Sequence, residues 1–178
     1  MMSFQPCSYG PCISHLASDV EVAVAALGAA RCAESLPAEF RVPLREAQRD
    51  LHEFGSALAG GMTPLLDESH IQRLDMACRE YSSQPPPDGF AEFGGTVESV
   101  GLLQLARAHV RRVEYTVLAV AEPGRSLGRE LQYLRQLDQL LVIFAYEAER
   151  QDEALLHAMA FGVCGGVMPE VDSKVHAH

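Results

Sequence analysis

Tryptophan is absent from these 178 residues, and lysine occurs once, at Lys174. The other thirteen basic residues are arginines, so cations sit where a planar, bidentate donor is available. Basic residues are outnumbered by acidic ones, 14 to 24, for a net charge of −10. No sustained positive field exists to hold nucleic acid or an anionic membrane, and any anion site has to be local. The five cysteines, Cys7, Cys12, Cys32, Cys78 and Cys164, are odd in number and follow no repeating spacing. They suggest neither a disulfide framework nor a zinc site, and together with the missing basic-then-apolar leader they point to a reducing cytoplasm. Long apolar runs are missing too. The stretch 154–168 is broken by His157, Gly162, Gly165 and Gly166 and falls short of the ~20 residues that a membrane helix requires. Strands have little support, because no run alternates with period two between turn signals.

What the chain does contain is helical periodicity. A length of 178 residues with 48% apolar and 21% charged residues fits one globular domain. Ser18 followed by Glu21 reads as a capping box opening a first helix, along which Val20, Val24 and Leu27 recur to about Cys32. Pro43 suits the first turn of a second helix carrying Leu44, Ala47, Leu51, Phe54 and Leu58, which Gly60-Gly61 ends. Residues 66–81 form a third, more polar helix that stops before Pro85-Pro86-Pro87. Residues 96–121 make a long apolar fourth helix closed by Pro123-Gly124, and 126–151 a fifth with Leu134, Leu137, Leu141 and Phe144 as its stripe. The expected fold is all-α: a five-helix bundle of up-down antiparallel helices over 18–152, preceded by an irregular segment 1–17 and followed by a partly helical or flexible tail 153–178.

Chemistry concentrates on the fourth helix. Arg107, Arg111 and Glu114 project within about 60° of one another, whereas Arg112 points elsewhere. An arginine-rich turn in an otherwise apolar helix needs a carboxylate, a phosphate or a neighbouring subunit. Glu21 on the first helix and Asp138 on the fifth are the acidic candidates, and a salt-bridge set within or between subunits accounts for the same residues. Cys7, Cys12 and His15 match no standard metal spacing, and no metal is expected.

At these positions the chain resembles the PduO-type corrinoid adenosyltransferases, which move adenosyl from ATP onto cob(I)alamin. The likeness spans roughly 19–150. Its strongest parts are Phe90-Ala-Glu-Phe-Gly-Gly-Thr96 and Leu105-Ala-Arg-Ala-His-Val-Arg-Arg-Val-Glu114, supported by Gln48-x-Asp50-Leu51-x-x-Phe54-Gly55-x-x-Leu58-Ala59 and Tyr133-Leu134-x-x-Leu137. The resemblance implies a trimer that binds ATP and corrinoid between subunits. It places Arg111 and Glu114 against ATP, sets Arg107 opposite an acidic residue across the subunit boundary, with Glu21 as the matching candidate, and turns Phe90 or Phe93 toward the corrinoid. A cobalamin-dependent enzyme is a further partner of such a protein.

The departures fall on the ATP equipment. Where the family has a basic Thr-Gly-Asp-x-Gly-x-Thr loop this chain has Met1 to His15 with no Lys or Arg before Arg31. Glu21-Val22-Ala23-Val24 stands for the family's Asp-Glu-Leu-Asn, Arg135-Gln136-Leu137-Asp138-Gln139 for Asn-Arg-Leu-Ser-Asp, and Tyr115 for an arginine. The expectation is a divergent member that binds cobalamin or adenosylcobalamin with adenosyl transfer and Mg-ATP binding weak or lost. An active transferase and a non-catalytic structural or partner-binding bundle are the alternatives.

Overall fold

A computed structural model describes residues 13–60, 66–87, 89–90, 97–120 and 127–164. Among these residues there are five α-helices and no strand: α1 (Ile13–Cys32), α2 (Arg41–Ala59), α3 (Glu68–Tyr81), α4 (Glu98–Val120) and α5 (Gly128–Cys164), with a single 3-10 turn at Ala38–Phe40 ahead of α2.

One boundary departs from the sequence reading and another is made definite. Ser18 and Glu21 do not cap α1; both are exposed within it, because the helix is already formed at Ile13. Leu16 extends the stripe of Val20, Ala23 and Leu27 one turn toward the amino end, and all four are buried. At the other end α5 continues past Gln151 to Cys164. Ala154, Leu155, Leu156, Ala158 and Met159 are helix-compatible, and no glycine or proline interrupts them before Gly162.

A capping box does exist at the start of α3. The Asp67 carboxylate accepts from the backbone N–H groups of Ser69 at 2.9 Å and His70 at 3.3 Å, while the Asp67 N–H reaches the His70 ring at 3.3 Å. The Ser69 hydroxyl and then the His70 side chain hold this carboxyl far below the usual carboxylate range.

Cross-helix contacts give the register. Gln48 donates to the Val24 carbonyl across α1–α2, Thr116 to Asp19 across α1–α4, and Tyr133 to Asp50 across α2–α5. These three pairs run up-down. On the far side α3 and α5 run the same way, since Gln136 meets Asp75 and Ser83 meets Glu147. The side chain of Gln48 lies where a Cβ on Gly28 would be, 2.7 Å from its Nε2, so glycine allows α1 and α2 to close over that amide. At one end of the core Phe40 stacks on Phe144 with centroids 4.2 Å apart, and Tyr81 meets both rings edge-on. Ser83, Glu147 and Arg150 bind one another beside this cluster and fasten the segment after α3 to α5. No helix among the described residues is long and apolar enough to cross a membrane.

Candidate functional site

Helix α4 is anchored by Leu103, Ala106, Val110, Val113 and Val117, all fully buried. That spacing turns Arg107 and Glu114 toward α5, with side chains only 15% and 18% exposed. Arg107 Nε lies 2.9 Å from Asp138 Oδ1, and two turns further on Arg135 Nε donates to Glu114 Oε1 at 2.8 Å. Asp138 and Arg135 are one turn apart on α5, so the seam carries two ion pairs of opposite polarity.

Arg111 lies between them and is exposed; its Nη2 is 3.4 Å from the Tyr115 hydroxyl. That contact, followed by the nearby Asp138 and Glu114 charges, raises the guanidinium pKa further. Burial pushes the Asp138 carboxyl above its ordinary value, against the pull of Arg107 and then Arg111. Arg112 takes the opposite direction and pairs with Asp19 of α1 at 2.8 Å. Between the two ion-paired edges α4 presents Leu105, Tyr115 and Leu118, each 47–62% exposed.

The structure therefore brings together Arg107, Arg111, Glu114 and Asp138, all singled out from the sequence, and adds Arg135 and Tyr115. It does not bring Glu21 to them within the chain. Glu21 is exposed on α1, beside a shallow recess of about 200 Å³ shared with His52, Gly55 and Ser56 of α2. The carboxylate that meets Arg107 here is Asp138. Phe90 is half-buried and packs edge-on against Tyr146 at 5.2 Å between centroids. Phe93 and residues 1–12 lie outside the described residues.

A second polar cluster was not singled out from the sequence. Asp50 of α2, 2% exposed, accepts from Arg73 Nη2 of α3 at 2.5 Å and from the Tyr133 hydroxyl of α5 at 3.1 Å. Glu46 lies 3.6 Å from the same arginine, and His70 Nε2 lies 3.9 Å from the second Asp50 oxygen. Burial, then the Asp50 charge and hydrogen bond, pushes the Tyr133 phenol well above its usual pKa. The available signal was a carboxylate placed on the Ala47–Leu51–Phe54 stripe.

The helical bundle agrees with comparisons to known proteins. Residues 11–148 match the family model described as cobalamin adenosyltransferase. The corrinoid adenosyltransferase of Mycobacterium bovis (strain ATCC BAA-935 / AF2122/97) is 30% identical over 151 residues, covering 78% of this chain and 76% of the relative. The proteins of that name from Mycobacterium tuberculosis strains CDC 1551 / Oshkosh and ATCC 25618 / H37Rv match to the same extent. The chain belongs to the cobalamin adenosyltransferase family.

Proposed function

We propose that this chain is a corrinoid-binding member of the family, holding cobalamin or adenosylcobalamin where subunits meet, with adenosyl transfer from ATP weak or lost. The observation that carries the reading is the charge of the seam. Arg107, Arg111 and Arg135 supply three cations, and Asp138 and Glu114 neutralise two of them at 2.9 and 2.8 Å. One net positive charge remains for a triphosphate carrying three to four negative charges. Charge-assisted hydrogen bonds contribute about 1.5–3 kcal/mol each, so a site short of two or three such donors binds Mg-ATP weaker by about a thousandfold. The absence of Lys and Arg before Arg31 supports the same reading.

Subunit contact is supported by Leu105, Tyr115 and Leu118, which would be covered by a neighbouring copy of α4's outer face. In the trimer that the family resemblance implies, Glu21, Arg111 and Phe90 or Phe93 would belong to the shared site. A cobalamin-dependent enzyme in the cytoplasm is the partner that such a carrier would serve. Titration of the protein with cobalamins, with and without Mg-ATP, is the test. The expected result is a spectral change on corrinoid binding and no calorimetric signal from ATP at micromolar concentration. No corrinoid binding at all would overturn the reading.

One observation favours an active transferase instead. Arg111 has no carboxylate within ion-pair distance among the described residues and is exposed toward the outer face of α4. In that reading it would steady the triphosphate as the cobalt(I) electron pair forms the bond to the ribose 5′-carbon and the C5′–O bond breaks, releasing triphosphate. An anaerobic assay with reduced cobalamin decides between the two: adenosylcobalamin above background that disappears in Arg111→Ala establishes transfer.

A further inference from the structure

Two apolar features lie away from the α4 seam. The first is a groove of about 490 Å³ between α2 and α3, which touch each other at few points. Ala47, Leu74, Ala77 and Tyr81 form its apolar walls, Val42 and Met76 stand at its mouth, 51% and 69% exposed, and Glu46, Ser69, Gln72, Arg73 and Glu80 form a polar rim. Along α3 the lining runs from Ser69 to Tyr81, about 18 Å at the helical rise.

The second feature is the end of α5. None of the residues 151–160 is buried, although they continue the helix. Leu155, Leu156 and Met159 are 55–59% exposed and fall on one face at spacing i, i+1, i+4. From 152 to its last residue the arm is about 20 Å long. It lies entirely beyond the residues that match the family.

Arm and groove agree in length, and the stripe of the arm matches the apolar walls of the groove; an apolar helix stripe laid into a groove with such walls and a polar rim is a recurrent docking mode. Within one chain they do not meet. The arm continues a helix whose direction is set by the bundle, fixed at its base by Arg150 against Glu147 and Ser83. We infer that the α5 arm of one copy docks in the α2–α3 groove of a second copy. A chain that carries both halves of a complementary pair makes a heterologous contact, or a reciprocal exchange between two copies. This contact is separate from the outer face of α4 and adds to whatever assembly that face makes.

The experiment uses full-length protein and two exposed sites, so that folding is spared: Met76→Glu in the groove mouth, and Leu155→Ser with Met159→Ser on the arm. Sedimentation velocity over a concentration series should show an association step in the wild type that each variant weakens about tenfold or more, the loss expected from withdrawing large apolar side chains from a contact. Mixing the two variants should restore association, because each supplies the half that the other lacks. The inference is overturned if the wild type and both variants sediment alike, if only the arm variant loses mass, or if the mixture remains at the mass of the variants.

Discussion

Arg73 and Arg107 each face an aspartate on a neighbouring helix, yet the two pairs have different surroundings. Asp50, the partner of Arg73, is 2% exposed and also accepts from Tyr133, which is fully buried. Asp138, the partner of Arg107, is 25% exposed, and Arg111, one turn from Arg107 on α4, extends to solvent. The knot joins α2, α3 and α5; Asp50 and Tyr133 are closed off within it, while Arg73 and Glu46 reach the surface along the α2–α3 groove. The α4–α5 seam contains similar groups but is open along one side and bordered by uncovered apolar side chains. Both sets belong to the segments that resemble the family, so resemblance alone does not separate a framework residue from a binding residue; burial and access do.

The largest expected effect tests the closed side of that contrast. Asp50→Ala removes the acceptor shared by Arg73 and Tyr133 and should lower the unfolding free energy by about 2–4 kcal/mol, somewhat less than a fully buried broken pair costs because Arg73 retains access to water. Denaturant unfolding measures it. The protein that remains folded should bind corrinoid as the wild type does; a selective loss of binding without loss of stability would show that the knot belongs to the site after all.

Arg107→Ala should do the reverse. Its partner Asp138 is only half-buried and can be rehydrated, so the stability loss should stay near 1 kcal/mol. Corrinoid binding should nevertheless fall by about tenfold or more, the equivalent of one charge-assisted contact. Unfolding and spectral titration of the same sample separate the two effects. A large stability loss with unchanged binding would make this pair a second framework knot.

How far these distinctions could be read in the sequence depends on what each residue's neighbours say. Helix periodicity places Leu103, Val110 and Val117 in the core, and with them the side of α4 on which Arg107, Arg111 and Glu114 lie. The five helices and their up-down order were legible for the same reason. Partners across the bundle were not, because Glu21 and Asp138 are equally plausible acids until a register fixes which helix faces Arg107. The knot escaped notice because Asp50, Arg73 and Tyr133 are 23 to 83 positions apart and form no local pattern. The start of α1 was misplaced because Ser18 and Glu21 satisfy a local capping rule that Leu16 overrides by burial. The tail after 152 could be read only as partly helical or flexible, because its turns have no burial pattern to fix where the helix stops.

A smaller effect distinguishes helix faces through glycine. A Cβ on Gly101 of α4 meets nothing within 4 Å, so Gly101→Ala should raise stability by about 0.5–1 kcal/mol through helix propensity. Gly55 of α2 gives the opposite sign. Its Cβ would stand 2.9 Å from Val20 Cγ1, and Val20 is both buried and β-branched, so Gly55→Ala should destabilise despite the better propensity. Paired thermal unfolding of the two variants checks the difference. A loss of stability in Gly101→Ala would mean that the outer face of α4 is closely covered in solution.

The gentlest test leaves the fold intact and asks whether the seam pair exists in solution. Burial raises the Asp138 carboxyl above its ordinary 3.8, and Arg107 is the strongest influence holding it down. The folded state therefore binds more protons than the unfolded one between that ordinary value and the raised one, so Asp138 lowers stability as pH rises through this window and adds nothing further above it. Asp67 has the opposite sign: its carboxyl is depressed in the folded state, so its contribution is present above the ordinary carboxylate value and is lost as acid is added. Carbon-detected NMR of the side-chain carboxyls should show Asp138 titrating late and Asp67 early. In Arg107→Ala the Asp138 midpoint should move higher still, because desolvation is then opposed only by Arg111, while Asp67 stays where it was. An Asp138 midpoint that does not move would show that Arg107 has no carboxylate partner on α5, and the charge argument for weak ATP binding would lose one of its two neutralised arginines.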